Sequence, residues 1–262
     1  MTKPLSKQLH KISKKIENTE QCNLFLDYDG SLVSFKNRPE EVYTPEKIKQ
    51  TLGKIPKKIH VLIITGRNLE EIKKLLPMEK ISFAATHGIQ IKLEGKEEYV
   101  LERAKKTQPL LKKIKKHVEE KFEEKKDVIV EDKKYTLALH YRQLPDREAN
   151  KIVEKFKNIV KKYDRKQKLE FLHGSKVIEI RPKGWDKGKA VEHIQKTQKE
   201  KADLNIYIGD DVTDEDAFRY LRQQDNNITI YVKNDSDIKT NAEWWVKNPE
   251  EVYHFLEEIT EL

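Results

Sequence analysis

The sequence predicts an α/β protein with a mostly parallel sheet that is interrupted by an inserted α+β segment. Short apolar runs recur along the chain, and helical patterns separate them, which is typical of parallel strands joined by right-handed crossovers. Between about Lys105 and Pro182 the rhythm changes to helix, strand, strand, helix, strand, strand. With 262 residues, the chain is long enough to bury a core in both parts.

The chain begins with a basic amphipathic pattern that predicts a helix over residues 1–20. Its apolar stripe, which we expect to pack on the domain or on a partner, consists of Leu5, Leu9, Ile12 and Ile16. The elements predicted next are strand 23–28, helix 45–53, strand 59–65, helix 68–76, strand 81–86, and a hairpin of 89–93 and 98–101. Asn68 is predicted to cap the helix that follows it.

The inserted segment and the remainder of the sheet follow. The insertion is predicted to contain helix 107–125, strands 127–131 and 135–142, helix 146–163, and strands 168–172 and 176–181. The sheet then resumes with helix 187–197, strands 204–208, 228–232 and 244–246, and helix 249–260. We therefore predict a core domain in two parts, 1–104 and 183–262, separated by an inserted domain, 105–182.

Two aspartates follow the first apolar run of the predicted sheet. Asp27 and Asp29 come directly after this run, and Gly30 follows at once. Ligands of open α/β sheets bind beyond the carboxyl ends of strands, and two carboxylates there repel each other unless a cation or a proton compensates them. The pair indicates a metal site with one nucleophilic carboxylate and one acid–base carboxylate. Taken alone, a turn that ends the strand explains the same residues equally well.

Three later segments also place polar residues next to apolar runs or helix starts. Thr65 follows a second strand, where a hydroxyl beside free N–H groups suits a phosphate oxygen. Asp210, Asp211 and Asp214 follow a third strand, and such a concentration of carboxylates favours Mg²⁺. Lys187 precedes a helical segment and supplies a cation. Together these segments favour a phosphate site with a hard cation over unrelated turns and caps.

The same residues, in this order, are typical of the haloacid dehalogenase superfamily of phosphatases and phosphotransferases. A narrower set of motifs comprises DYDG at 27–30, TGR at 65–67, HG at 87–88, LHYR at 139–142, KVIEIRP at 176–182, KGKA at 187–190 and GDDVTDEDAF at 209–218. With these motifs the chain resembles the trehalose-6-phosphate phosphatase family from about Asn23 to near the C-terminus. It departs at Ser31, where threonine is usual, and at Trp185 and Asp186, where smaller or amide residues are common.

The resemblance implies a Rossmann-like haloacid dehalogenase core with an inserted α+β cap of αββαββ order. It implies a Mg²⁺-dependent phosphatase that converts trehalose 6-phosphate to trehalose and phosphate through an aspartyl-phosphate. The catalytic residues implied are Asp27 as nucleophile, Asp29 as acid and base, and Thr65 and Lys187 on the phosphoryl group. The metal residues implied are Asp27, Asp29 (through its carbonyl) and Asp210, with Asp211 and Asp214 in support. The substrate-binding residues implied are Gly66, Arg67, His87, Glu131, Lys133, Arg142, Lys176 and Glu179.

Four positions in these motifs carry alternatives. Lys176 and Glu179 are separated by an odd number of residues, so an ideal strand places them on opposite faces. Either the strand begins after Lys176 or only one of the two lines the site. His140 is predicted to form a structural hydrogen bond. For His87, a substrate contact and a structural role are equally compatible with the sequence.

The amino-acid composition indicates which partners and which cellular compartment to expect. Lys and Arg exceed Asp and Glu by 53 to 45, but lysines and glutamates interleave along the helices, so we expect no nucleic-acid or membrane partner. No apolar run is long enough to span a membrane, and the N-terminus lacks a secretory signal. The single cysteine, Cys22, excludes an intramolecular disulfide and fits a reducing compartment. We expect a cytoplasmic monomer whose partner is a small sugar phosphate.

Other functions remain open at this point. A sucrose-phosphate, mannosylglycerate-type or broad-specificity sugar-phosphate phosphatase would use the same core with a different cap. A phosphosugar sensor could keep the fold without turnover, but the intact Asp27, Asp29, Lys187 and Asp210 argue against it. A nucleic-acid binder would need a basic surface with aromatic residues, and none stands out.

Overall fold

The computed structural model describes residues 2–36, 41–174, 176–198, 201–234 and 239–262. The chain separates into two compact units. The first consists of Met1–Tyr99 together with Asp186–Leu262, and the second is Val100–Trp185. Two segments that are distant in sequence therefore build the first unit. The sequence places the corresponding boundaries after residues 104 and 182.

Strands and helices are numbered here in chain order. The strands are β1 Lys3–Pro4, β2 Cys22–Asp27, β3 Ile59–Ile64, β4 Ser82–Ala85, β5 Gln90–Lys92, β6 Glu98–Val100, β7 Ile129–Asp132, β8 Leu137–His140, β9 Leu169–Gly174, β10 Val177–Pro182, β11 Leu204–Gly209, β12 Asn227–Val232 and β13 Trp244–Val246. The helices are α1 Leu9–Glu17, α2 Glu46–Lys54, α3 Leu69–Leu75, α4 Glu102–Phe122, α5 Asp146–Tyr163, α6 Lys187–Thr197, α7 Glu215–Arg222 and α8 Pro249–Thr260.

Across its described residues, the first unit contains one nine-stranded sheet in the order β1-β13-β12-β11-β2-β3-β4-β5-β6. From β1 to β4 all neighbours are parallel, and β5 is antiparallel to β4. Every residue of β2 and of β11 is buried, because helices cover both faces of the central strands. This burial explains why these strands appear in the sequence as apolar runs without alternation. The predicted α/β fold is confirmed.

The second unit has the αββαββ order that the sequence predicts. Its strands form an antiparallel sheet in the order β7-β8-β10-β9. Alternate residues of β8 and β10 pack against α4 and α5; the main contacts come from Leu137, Leu139, Ile178, Ile180, Ile114 and Phe156. Because side chains alternate along a strand, His140 and Glu179 project from the opposite face of the sheet. This second face is the polar one.

Near the amino ends of the parallel strands, polar side chains form a hydrogen-bonded row that we call the polar ladder. Its members are Asn227, Asn205, Asn23, His60 and Ser82, with Gln198 bridging Asn23 and His60. Asn23 Nδ2 donates to Asn205 Oδ1 at 3.0 Å, and Gln198 Nε2 donates to Asn23 Oδ1 at 2.8 Å. His60 Nδ1 lies 3.1 Å from the same amide nitrogen, so it is the acceptor, and the ring proton belongs on Nε2. The ladder links five neighbouring strands away from the ends that carry the aspartates.

The predicted helix over 1–20 is wrong at its start. Lys3 and Pro4 pair with β13 as a short strand, and a 3-10 turn leads from them into α1. Proline lacks an N–H, so an edge strand accommodates it better than a helix interior does. The apolar stripe nevertheless packs on the first unit, the first of the two predicted alternatives, through Leu5, Ile12 and Ile16.

Three helices, α3, α4 and α7, can be compared with the helices predicted from the sequence. Asn68 caps α3 as predicted, since its side chain accepts from Glu71 N at 2.9 Å. Helix α4 begins at Glu102 rather than at 107 and contains Pro109. Helix α7 is absent from the predicted elements, because its eight residues carry too short a periodic pattern. In the described part of the chain, no helix is both long enough and apolar enough to cross a membrane.

Candidate active site

The predicted catalytic and metal residues meet where β2, β3 and β11 end. Asp27 is the last residue of β2, and Thr65 directly follows β3. Strand β11 runs parallel to β2 in register, so Asp210, which follows β11, lies beside Asp27. One carboxylate oxygen from each of Asp27, Asp210 and Asp214 lies within 4.8 Å of the other two. The sheet therefore brings together residues from both parts of the first unit.

Lys187 joins Asp27 to Asp214 in the buried part of the site. Its Nζ donates to Asp27 Oδ1 at 2.6 Å and to Asp214 Oδ1 at 2.7 Å. Lys187 is the first residue of α6, and Asp186 caps this helix by accepting from Lys189 N at 2.8 Å. Burial lowers the pKa of Lys187, but Asp214 and Asp27 outweigh it and hold the pKa above its ordinary value. The ammonium group is therefore charged.

Asp214 is fully enclosed by hydrogen-bond donors. Its Oδ1 accepts from Lys187 and, at 2.7 Å, from the hydroxyl of Tyr207. Its Oδ2 accepts from the backbone N–H groups of Asp210 and Asp211 at 3.1 and 3.0 Å. Four donors on two oxygens make Asp214 a support that fixes Lys187 and the turn after β11.

Tyr207 is a site residue that the sequence analysis missed. The available signal was a phenol in the middle of a fully buried strand, since the hydroxyl of a buried Tyr usually has a hydrogen-bond partner. Gly209 provides space for that partner, since a Cβ atom at Gly209 would lie 2.3 Å from Asp214 Cγ. The strand that carries the aspartates thus also carries the residues that position them.

Asp210 packs against Gly30 and is held by Ser31. Ser31 Oγ donates to Asp210 Oδ1 at 3.0 Å, so the departure from threonine keeps the hydroxyl. Gly30 has a φ of 88°, and a Cβ atom there would lie 2.2 Å from Asp210 Oδ2. Burial and the nearby Asp214 raise the pKa of Asp210 to about 7. Burial also raises the pKa of Asp27 well above its usual value, although Lys187 opposes this.

The carboxylate oxygens of this site fit a hard divalent cation. Asp27 is buried and Asp210 partly buried, and both have pKa values raised first by burial and then by the neighbouring carboxylates, which Lys187 opposes. Oxygen ligands of this kind suit Mg²⁺. Asp214 already accepts four hydrogen bonds, so Asp27 and Asp210 are the better ligands. Asp211 is exposed, and its Oδ1 accepts from Val212 N at 2.7 Å.

Asp29 is paired with Arg67. Arg67 donates from Nε to Asp29 Oδ2 and from Nη2 to Asp29 Oδ1, both at 2.7 Å. It also pairs with Glu71, one turn into α3. The side chain of Arg67 is 8% exposed, which indicates a fixed position. The sequence predicts Arg67 as a substrate-binding residue, whereas in the structure it holds Asp29.

Thr65, Gly66 and His87 form a compact turn next to this pair. Thr65 is 1% exposed, and its Oγ1 accepts from Arg67 N at 3.1 Å. His87 N donates to Thr65 O at 2.8 Å, and His87 has a φ of 57°. A Cβ atom at Gly66 would lie 3.0 Å from the imidazole Cε1 of His87, so this glycine lets the ring approach. The three predicted residues therefore lie together.

The polar face of the second unit brings three predicted substrate-binding residues together. Lys133 Nζ donates to Glu179 Oε2 at 3.0 Å and lies 3.8 Å from Glu131 Oε2. His140 donates from Nε2 to Glu131 Oε2 at 2.7 Å, the kind of hydrogen bond that the sequence predicts for it. Burial raises the pKa of Glu131, but His140 and Lys133 outweigh it and lower the pKa below its usual value.

Two other predicted residues lie elsewhere in the second unit. Strand β10 begins after Lys176, the first of the two predicted alternatives, and Lys176 pairs with Asp146 at the start of α5. Arg142 lies in the loop that follows β8. The structure therefore does not join Lys176 to the cluster of Glu131, Lys133 and Glu179.

Comparison with known proteins agrees with this geometry. The sequence profile of the trehalose-phosphatase family matches residues 25–250, which include every site residue described above. The chain belongs to the trehalose-phosphatase family. A relative from Arabidopsis thaliana, trehalose-phosphate phosphatase B, is 31% identical over 255 residues, which cover 92% of this chain and 67% of that protein.

Two solved structures share the fold. The C-terminal domain of C. albicans trehalose-6-phosphate phosphatase has a TM-score of 0.83 at 24% identity, covering 100% of this chain and 99% of that one. The C-terminal domain of Candida albicans trehalose synthase regulatory protein has a TM-score of 0.74 at 14% identity, covering 95% and 97%. Identities this low show the fold alone, so the site residues must carry the functional argument.

Proposed function

We propose that this protein is a Mg²⁺-dependent phosphatase that hydrolyses trehalose 6-phosphate to trehalose and phosphate. The observation that carries the chemistry is the buried contact of Lys187 with Asp27, beside Asp210. A carboxylate with one cationic neighbour, at the carboxyl ends of parallel strands, suits attack on a phosphoryl group. Membership of the trehalose-phosphatase family supports the choice of substrate.

The reaction has two steps that use the same pair of aspartates. In the first, a bond forms between a carboxylate oxygen of Asp27 and phosphorus, and the bond from phosphorus to the sugar oxygen breaks. Asp29 gives its proton to the departing oxygen. In the second, water attacks phosphorus and loses a proton to Asp29, while the bond to Asp27 breaks and phosphate leaves.

Lys187 and Thr65 are assigned to the phosphoryl oxygens. An ammonium group has three N–H donors, of which Asp27 and Asp214 receive two. The third is assigned to a phosphoryl oxygen. Thr65 Oγ1 accepts from Arg67 N, which leaves its hydroxyl proton for a second oxygen. Both donors act where negative charge develops in the transition state.

Asp27, Asp210 and the backbone carbonyl of Asp29 are the ligands proposed for Mg²⁺, with Asp211 in support. When bound, the ion supplies positive charge that offsets the repulsion between the carboxylates and the phosphoryl oxygens. Glu131, Lys133 and Glu179 are assigned to sugar hydroxyls, because charged donors and acceptors recognise them well. For Gly66 and His87 we propose substrate contacts at the turn after β3, while Arg142 and Lys176 remain sequence predictions.

The test is phosphate release from a panel of sugar phosphates that includes trehalose 6-phosphate and sucrose 6-phosphate, with Mg²⁺ and with a chelator. We expect metal-dependent release with a clear preference for trehalose 6-phosphate. Similar rates on many sugar phosphates would keep the chemistry and overturn the substrate assignment. Tight binding of one sugar phosphate without release would indicate a sensor.

A matched pair of variants tests the nucleophile. Asp27→Asn should lose about 10⁴-fold or more in kcat, as expected for removal of a nucleophile. Asp225→Asn removes an exposed carboxylate and should leave activity unchanged. Normal turnover by Asp27→Asn would overturn the scheme.

A further inference from the structure

Asn234 contacts two parts of the site but is absent from the residues that the sequence predicts. It follows β12, and its Nδ2 donates to Gly30 O at 2.6 Å. The same nitrogen donates to Asp210 Oδ2 at 3.2 Å. The two partners belong to the turn after β2 and to the end of β11. One amide group therefore links two segments that carry the aspartates.

The backbone fixes Asn234 in this position. Its N–H donates to Lys247 O at 2.9 Å, and the preceding N–H, of Lys233, donates to Val246 O at 3.0 Å. Asn234 has a φ of 45°, in the left-handed region that Asn enters more readily than most residues. The conformation and the side-chain contact therefore both favour asparagine here.

With Asn234 included, each carboxylate oxygen of Asp210 has one side-chain donor among the described residues. Ser31 Oγ holds Oδ1 at 3.0 Å, and Asn234 holds Oδ2. The absence of a side chain at Gly30 lets the carboxylate lie against the backbone. Two donors on opposite oxygens restrict rotation about the last side-chain bond of Asp210, so its orientation is set before any ligand arrives.

The chemistry of an amide suits this task. An NH₂ group directs a carboxylate through a hydrogen bond without adding a positive charge that would compete with a cation. Outer-sphere groups that orient metal ligands typically change metal affinity by about 10–100-fold. A lysine at this place would hold Asp210 as well but would weaken its attraction for a cation.

We propose that Asn234 is a positioning residue, which orients Asp210 toward a divalent cation and holds the Gly30 carbonyl of the adjoining turn. This inference rests on the proposed function, since it assigns Asp210 as a ligand of the cation. It adds a residue to the site rather than a step to the reaction.

The test compares Asn234→Gly with Asn226→Gly. Glycine tolerates the left-handed backbone at both positions, so each variant removes an amide without adding strain. Asn226, at the other end of β12, has a φ of 64°, and its side chain contacts Asp203 O away from the aspartates. Asn234→Asp is the third variant, because it places a carboxylate against Asp210.

The readout is Mn²⁺ binding, followed by the electron paramagnetic resonance signal of the free ion. We expect the Kd of Asn234→Gly to rise about 10-fold or more, with a larger rise for Asn234→Asp and none for Asn226→Gly. Excess Mg²⁺ should restore much of the kcat of Asn234→Gly. Wild-type affinity in Asn234→Gly would overturn the inference.

Asp210→Asn locates the bound ion. If this variant binds Mn²⁺ as tightly as the wild type, the ion lies elsewhere and the inference fails. If binding depends on Asp210 but the wild type hydrolyses no sugar phosphate, the proposed function fails, and the Asn234 comparison still decides the inference.

Discussion

Arg67 contacts both carboxylate oxygens of Asp29, each at 2.7 Å. In the proposed reaction, Asp29 exchanges one of these contacts for an O–H of its own before it gives a proton to the leaving group. Arg67 therefore fixes the position of the Asp29 carboxylate, and Glu71 fixes Arg67 in turn. The pairing is an addition to the substrate contact that the sequence predicts for Arg67, which stays a prediction.

Arg67→Lys should lower kcat on trehalose 6-phosphate by about 10–100-fold, part of the 10²–10⁴-fold that a general acid supplies. The KM should change little. Activity on p-nitrophenyl phosphate should fall much less, because nitrophenolate departs without a proton. Glu71→Gln, which removes the other partner of Arg67, is the control and should have a smaller effect. Equal losses on both substrates, or a rise in KM alone, would return Arg67 to a substrate-binding role.

Lys187→Met should destabilise the fold as well as abolish activity. It leaves Asp27 and Asp214 buried without their cation, a change that typically costs about 3–5 kcal/mol in free energy of unfolding. Denaturation in urea without divalent cations measures this loss. Lys189→Met, in the same helix but exposed, should stay close to the wild type. Equal stability of the two variants would contradict a buried ion pair.

Gly30→Ala and Gly95→Ala separate backbone strain from a collision in the site. Both glycines have a positive φ, so alanine should cost each about 1 kcal/mol or slightly more. At Gly30 the new Cβ atom would meet Asp210, whereas at Gly95 it would have no atom of the described residues within 4 Å. Phosphate-release assays should find Gly95→Ala active and Gly30→Ala inactive. An active Gly30→Ala would show that Asp210 can move away.

His60 should make stability depend on pH. Burial lowers its pKa below the ordinary 6.5, so in acid the unfolded chain takes up a proton that the folded protein does not. This contribution to stability is present above about pH 6.5 and is lost as the pH falls toward the lowered pKa. Urea denaturation of the wild type and of His60→Asn, between about pH 8 and 5.5, measures how steeply the free energy of unfolding of each protein changes with pH.

The His60→Asn variant should be less stable near neutral pH, because it loses the contact of His60 with Ser82. Its stability should also fall less steeply in acid than that of the wild type. Identical slopes for the two proteins would mean that His60 titrates with the same pKa in both states.

Cys22 should report global unfolding. Burial raises the pKa of its thiol to about 12, so the thiolate that reacts with disulfide reagents is scarce at about pH 8. The native protein should react slowly with Ellman's reagent, and denaturant should release one rapid equivalent, since the chain has one cysteine. Rapid reaction of the native protein would contradict the buried position of Cys22.

The positions of Asp27, Thr65 and Asp210 could be predicted because they depend on local patterns. Each follows an apolar run, and parallel strands bring their carboxyl ends to one edge. The order of elements in the second unit was equally readable, since helical and strand periodicities differ there. Fold class and the main aspartates therefore follow from short stretches of sequence.

The contacts that orient these residues could not be predicted in the same way. Asn234 and Gly30 are 204 residues apart, and no local pattern links an amide after one strand to a carbonyl after another. Arg67 belongs to a recognisable motif, but its direction depends on two acids on different elements. Lys3 and Pro4 formed a strand instead of a helix because β13, near the other end of the chain, offered an edge.

The pairing of β2 with β11 also bears on how the protein is made. Asn23 and Asn205, which face each other across these strands, are 182 residues apart. At about 5–20 residues per second, a ribosome needs roughly 10–40 s to synthesise the interval. During that time β2 has one open, apolar edge, which is a template for aggregation. The nascent chain carries Asp27 long before it carries Lys187 and Asp210, so the group of side chains around Asp27 can assemble only after the last third of the chain has emerged.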